Sequence, residues 1–213
     1  ERTMRPLACV MSVFAGLLAG CGGGKAAQSQ ALAQKRTFVP QAGAAQPVAP
    51  SPGFAAVKVR PFRALPPFDA RTFIVRRAGG EYAADFYNGW LVAPQELIRV
   101  QAARYLEASR LFAAVYDPGC GTVAPLGLEG VVSELYLDYS GDAPAAVVSL
   151  RLLVLEERSS TLNVVFTSEK QARVALAAQD DTAAAQAFSQ ALTQVLEALV
   201  KELAQAPLPK AAR

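Results

Sequence analysis

Val131-Val132-Ser133-Glu134-Leu135-Tyr136-Leu137-Asp138-Tyr139 alternates with a period of two. Val131, Ser133, Leu135, Leu137 and Tyr139 fall on one side, and Val132, Glu134, Tyr136 and Asp138 on the other, the pattern of a strand. The chain turns between Tyr139 and Pro144, and Ala146–Leu155 returns with Val148, Leu150, Leu152 and Val154 on one face. Two long strands joined by a short polar turn predict an antiparallel hairpin. A third strand is predicted over Leu162–Thr167, with an extension toward Val174.

Working outward, the C-terminal side carries the clearest helix. Asp180 and Asp181 supply an N-cap and a first-turn charge, and Ala185, Phe188, Leu192, Val195, Leu196, Leu199 and Leu203 follow at helical spacing. On the N-terminal side, Val57 and Val59 alternate with Lys58 and Arg60 in a strand running to Phe62. Pro61, Pro66 and Pro67 close it in a loop, and Thr72–Arg76 is a second strand. Gly79-Gly80 turns the chain, and Glu81–Phe86 pairs back. Pro94 opens a helix to about Arg110, with Leu97, Ile98, Ala102, Tyr105 and Leu106 inward, and a short strand spans Phe112–Tyr116. The expectation is an α+β domain over residues 54–206, a mainly antiparallel sheet covered by two helices.

The front of the chain is of another kind. Arg2 and Arg5 precede an apolar run, Pro6–Ala19, of 14 residues, which ends in Leu18-Ala19-Gly20-Cys21. A basic start, a short apolar core and a small-residue cleavage site describe an export signal. The run falls short of the ~20 residues that span a bilayer. The four closing residues resemble the bacterial lipobox, in which the cysteine thiol receives a diacylglycerol and becomes the mature N-terminus. Residues 1–20 then form the signal peptide, with Met4 as its start, and Cys21 carries the acyl chains. Gly22 rather than Asp follows the cysteine, which by resemblance to enterobacterial lipoproteins implies sorting to the outer membrane of a Gram-negative cell. Residues 21–53, rich in Ala, Gln, Gly and Pro, read as a flexible tether. Within it, Thr37-Phe38-Val39 reads as a short strand of the domain.

Composition removes several classes of function. The chain has no histidine, which excludes Ser-His-Asp and Cys-His nucleophile systems and the usual zinc ligand sets. No glycine-rich phosphate loop follows a strand, and no cofactor motif is present. Glu156 and Glu157 are neighbours on a strand, so they point to opposite faces and do not share a substrate. Beyond Gly53 there are 16 Lys and Arg against 17 Asp and Glu, a balance that argues against nucleic-acid binding. Of three cysteines, Cys9 leaves with the signal and Cys21 is acylated. Cys120 stands alone in an Asp-Pro-Gly-Cys-Gly turn, either inert or a reactive thiol. A non-enzymatic, membrane-tethered periplasmic domain is expected.

Two features carry candidate binding residues. Lys58, Arg60, Arg63, Arg71, Arg76 and Arg77 face only Asp69 between Lys58 and Arg77. Lys58 and Arg60 share a strand face, and Arg76 joins them if the second strand pairs beside the first. That face is either solvated or meets an acidic partner or anionic headgroups. Trp90, the single tryptophan, either packs strand against helix or contacts a partner.

Several segments together resemble the ABC-type transport auxiliary lipoproteins. They are Val57–Phe62, Leu65–Asp69, Phe73–Arg77, the aromatic stretch Tyr82–Tyr87, Trp90, Pro94, Leu111–Val115, Glu134–Tyr139 and the closing helix. One departure is Gly89, where a basic residue commonly precedes the family tryptophan. The resemblance implies a docking subunit of an MCE-type (mammalian cell entry) lipid transport system. In such systems an inner-membrane ABC transporter works with periplasmic MCE proteins, and the lipoprotein sits on the outer-membrane side without catalysis. An MCE protein is the implied partner, with phospholipid and a second copy of the chain as further ones. The alternatives are a lipid carrier with its own pocket and a purely structural envelope lipoprotein.

Overall fold

The hairpin predicted by the central alternation is present and longer than its sequence signal. The computed structural model describes residues 34–48, 53–157 and 162–211. The signal segment, Cys21 and the first part of the tether lie outside the described residues. The strands β1 (Arg36–Phe38), β2 (Val57–Val59), β3 (Arg63–Ala64), β4 (Thr72–Arg76) and β5 (Tyr82–Trp90) precede helix α1 (Pro94–Ser109). After it come β6 (Val115–Tyr116), β7 (Leu126–Asp138), β8 (Ala145–Glu156), β9 (Asn163–Ala175) and helix α2 (Asp181–Leu203).

β7 is the spine of the sheet. One edge pairs antiparallel with β8 from Leu126↔Glu156 to Asp138↔Ala145, and β8 pairs antiparallel with β9 along its length. The other edge takes three short strands in series, all parallel to it: β2 at Leu126–Leu128, β3 at Val131–Val132 and β4 at Leu137–Asp138. The three longest pairings are antiparallel, as expected, while the parallel ones were not foreseen. Their cause is local. Pro61 and the Pro66-Pro67 pair, joined by a cis bond, interrupt the ladder without reversing the chain, so it resumes farther along the same edge. β4 then turns back at Gly79 and Gly80, both at positive φ (79° and 83°), and pairs antiparallel with β5.

Both helices pack on one face of this sheet. Pro94 occupies the first turn of α1, and Arg110 ends it in the left-handed conformation, its N–H bonded to the Glu107 carbonyl. The Asp180 carboxylate caps α2 by accepting from the Ala183 N–H at 2.7 Å. The stripe Phe188, Leu192, Val195, Leu196, Leu199 and Leu203 is fully buried against Val57, Val59, Leu128, Leu150, Leu152 and Val154. Phe62 crosses between β2 and β3 on the same face, and its ring lies over Gly130, where a β-carbon would fall 2.4 Å away. Gly127 and Gly130 also explain why the first turn of β7 was missed, since neither contributes a side chain to the alternation.

Among the described residues no helix lies over the opposite face of the sheet. Its side chains are paired instead: Arg60 with Glu129 and Glu157, Arg151 with Glu169, Gln171 with Glu134, and Arg173 with Asp138. Such paired charge suits a broad sheet face that meets water.

The short strand read at Thr37–Val39 is present as β1, and residues 40–48, placed in the tether by composition, are folded onto the domain as well. β1 pairs parallel with β5 at Asn88–Trp90. The backbone N–H groups of Gln41, Ala42 and Gly43 donate to Ser189, Gln101 and Thr193 on the two helices. Polar helix side chains hold its backbone, Phe38 packs on Phe73 and Ala45 is buried, and these scattered contacts leave no periodic signal in so weakly hydrophobic a segment.

Candidate functional site

β5 does not run straight beside β4. The register passes from Ile74↔Ala84 to Thr72↔Gly89, leaving Phe73 opposite the four residues Asp85-Phe86-Tyr87-Asn88. This wide bulge throws its aromatic pair outward, with Phe86 82% and Tyr87 57% exposed. Bulges of this kind re-aim side chains that a regular strand would place in the sheet.

Polar contacts fix the bulge. The Asp85 carboxylate accepts from the N–H of Tyr87 (2.8 Å) and of Asn88 (3.2 Å), an Asx turn. The Asn88 amide donates to Asp85 and to Asp181 of α2, both at 2.9 Å. Arg36 of β1 donates to the other oxygen of Asp181 at 3.0 Å and to the Thr182 hydroxyl. Three elements distant in sequence thus meet at one lock, and Asn88 itself is buried.

Beside the lock, α2 begins at Asp181, and Phe73 and Val75 of β4, Ala83–Asn88 of β5 and Leu137 of β7 share a cleft with its first turn. The cleft measures about 500 Å³. Its floor is apolar, built from Phe73, Val75 and Leu137, and Phe86, Tyr87 and Tyr139 form the lip. Asp85, Asp180 and Asp181 line it together with Arg77. Arg77 lies 3.6 Å from Glu81. Burial pushes the Tyr139 hydroxyl pKa up, and the negative charges of Asp85 and Asp181 push it further. The cleft can seat an apolar group and attract a cation. It contains no nucleophile–base pair.

The basic residues singled out from the sequence are not gathered into one patch. Lys58 on β2, Arg60 just after it and Arg76 on β4 lie along the same edge of β7, but β4 does not pair beside β2. Lys58 registers with Gly127 and Arg76 with Asp138, some 35 Å apart along β7 at ~3.3 Å per residue. Arg60 is held by Glu157 at 2.9 Å and Glu129 at 3.1 Å. Lys58 donates to the Cys120 carbonyl at 2.6 Å. Arg76 bonds the Tyr136 hydroxyl, which raises its pKa. Arg60 is thus neutralised by carboxylates, while Lys58 and Arg76 bond neutral oxygens and keep their net charge.

Trp90 is 3% exposed, with its ring 4.5 Å from Phe73 and 5.0 Å from Phe188. It joins strand to helix, the packing alternative. At the preceding residue, Gly89, a β-carbon would lie 2.2 Å from the Arg71 carbonyl oxygen, so no side chain fits there in this chain. The Cys120 thiol is a free, partly exposed group that bonds the Thr122 hydroxyl, a contact that lowers its pKa.

The lip was missed by sequence reasoning, which treated Glu81–Phe86 as a pairing strand. A signal existed. Adjacent Phe86 and Tyr87 cannot share one buried face of a strand, and Asp85 two residues before Tyr87 is the spacing of an Asx turn.

Comparison with known proteins places this architecture. A Xanthomonas campestris crystal structure, assigned to the domain family DUF330, is 26% identical and superposes with a TM-score of 0.68, over 80% of this chain and 95% of that one. A hypothetical protein from Chlamydia trachomatis shares the fold at 10% identity and a TM-score of 0.53, over 72% and 97% of the two chains. No curated protein matches the sequence. The family model of the ABC-type transport auxiliary lipoprotein component matches residues 37–200, from β1 through nearly all of α2. The chain belongs to the family of ABC-type transport auxiliary lipoprotein components.

Proposed function

We propose that the protein is the outer-membrane-anchored accessory lipoprotein of an MCE-type intermembrane lipid transporter, where it docks a periplasmic MCE protein without catalysing a reaction. The observation that carries this reading is the family match across the folded domain. The lipobox at Leu18–Cys21 supports attachment to a membrane from the periplasmic side, and Gly22 after the cysteine favours the outer membrane. With two or more acyl chains and ~0.8 kcal/mol per buried CH₂, such an anchor is effectively permanent.

The test is recovery of the tagged, lipidated protein from detergent-solubilised membranes, with an MCE protein as the expected companion. Recovery of only peptidoglycan or an unrelated envelope complex overturns the reading. Cys21→Ser is expected to abolish acylation and cleavage before residue 21, and processing that persists at that bond removes the anchor.

The apolar floor of the cleft favours one rival, a carrier that holds lipid in its own pocket. Native mass spectrometry of the chain released from membranes separates the two, because a carrier retains phospholipid and a docking subunit does not.

A further inference from the structure

We infer that the cleft behind the Asp85–Asn88 bulge receives a partner-protein segment that presents an apolar side chain next to a Lys or Arg. The partner's identity, though not the chemistry of the cleft, rests on the docking function proposed above. Three observations converge on this occupant.

Phe86 and Tyr87 are exposed on a backbone already fixed by Asp85, Asn88 and Asp181, so little ordering remains to oppose binding. Aromatic residues held in this way beside an apolar floor are the usual energetic centres of an interface once a partner excludes water. The floor of Phe73, Val75 and Leu137 accepts an apolar group beside the first turn of α2. The third observation is charge. Asp85, Asp180 and Asp181 surround the floor; Arg36 pairs with Asp181 and Arg77 lies against Glu81, while Asp85 and Asp180 accept from neutral N–H donors and keep their charge. The remaining field is negative and selects a cation.

The same charges decide against other occupants. An anionic phospholipid headgroup would meet carboxylates. A second copy docked face to face would bring the same acidic rim against itself, since a two-fold interface is self-complementary.

The test uses the full, lipidated chain in detergent and two labelled probes, Lys-Leu-Phe-Leu-Lys and Glu-Leu-Phe-Leu-Glu, followed by fluorescence anisotropy. The basic peptide is expected to bind roughly tenfold or more tighter than the acidic one. Its binding weakens as salt rises to ~0.5 M. The double variant Phe86→Ser, Tyr87→Ser, whose side chains are exposed and whose unfolding midpoint should match the parent, is expected to lose roughly tenfold or more. Equal binding of both peptides, no binding of the basic one, or an unchanged affinity in the variant overturns the inference. So does competition by phosphatidylglycerol micelles, or dissociation of a self-associated parent into monomers by the same substitutions. Co-purification separates this proposal from the function above. An MCE partner retained by the double variant sinks the cleft and leaves the function standing. Loss of every MCE partner from the parent, with peptide binding intact, does the reverse.

Discussion

The two faces of the sheet each carry an aromatic cluster, and the clusters are built on opposite principles. Under the helices, Phe38, Phe73, Trp90 and Phe188 pack with ring centroids 4.5–5.5 Å apart, reaching from β1 to α2. On the uncovered face, Phe68, Tyr82 and Tyr136 sit 5.5–6.1 Å apart, and the Tyr136 hydroxyl engages Arg76. The first cluster is closed by a helix and gains from burial. The second is closed only by the loop that carries Phe68, and it ends in hydroxyls and charges. Stability is therefore concentrated on the helix face, and the open face serves solubility and register.

The largest test of this contrast is Trp90→Ala, which removes the centre of the covered cluster. It is expected to cost ~3–5 kcal/mol, read as a shift in the urea midpoint. Tyr82→Ala, at the rim of the open cluster, is expected to cost about 1 kcal/mol or less. Equal losses would erase the distinction between the faces.

Two glycines three residues apart on β7 sharpen it. At Gly130 a β-carbon meets the Phe62 ring at 2.4 Å inside the packed layer, so Gly130→Ala is expected to destabilise by ~1–3 kcal/mol. At Gly127 the nearest atoms are the Glu157 carboxylate at 2.3 Å and the Arg60 guanidinium at 3.0 Å, both ends of flexible side chains. Gly127→Ala should leave the thermal midpoint nearly unchanged. A larger loss at Gly127 than at Gly130 would show that the ion pairs, rather than the helix layer, hold β7.

The open face is also where acid should act. Burial opposes the charge of Asp138, but hydrogen bonds from the Ser140 side chain and backbone, together with Arg173, hold its carboxyl at about 2. The folded pKa lies below the unfolded one, so the unfolded chain binds more protons there. Asp138 thus stabilises the fold fully above about pH 4, and the contribution is lost as pH falls toward 2. Asp138→Asn is expected to lose ~1–2 kcal/mol at neutral pH and to flatten the pH dependence of stability between 4 and 2. A variant that keeps the parental slope in that window would remove Asp138 as its cause.

The smallest effect belongs to Arg60, whose two ion pairs are about one-third exposed. Arg60→Ala should cost about 1 kcal/mol, with part of the difference screened at high salt. An unaltered midpoint would reduce the triad to a solvated ornament of the face.

Periodicity made much of this legible. The alternation of Val131–Tyr139 and Ala146–Leu155, the stripe from Phe188 to Leu203, Pro94 and the Asp180 cap each state a local preference that the folded chain keeps. The sequence offered packing and partner contact for Trp90 alike, and its burial against Phe73 and Phe188 decides for packing. Nor could the basic face be judged from the sequence. Whether Arg60 is free depends on Glu129 and Glu157, which lie 69 and 97 residues away.

What the sequence determined, then, was the identity of elements and the face each one buries, because side-chain period depends only on local backbone geometry. Only the tertiary structure decided which edge each strand takes. It placed β2, β3 and β4 in series along β7, folded residues 40–48 onto the helices, and closed the lock between Arg36, Asn88 and Asp181. A strand's pattern specifies its face but leaves its neighbour open. The neighbour is chosen when competing edges, loop reach and the end of a helix meet in space, and the cleft lies where the first turn of α2, at Asp181, meets β4, β5 and β7.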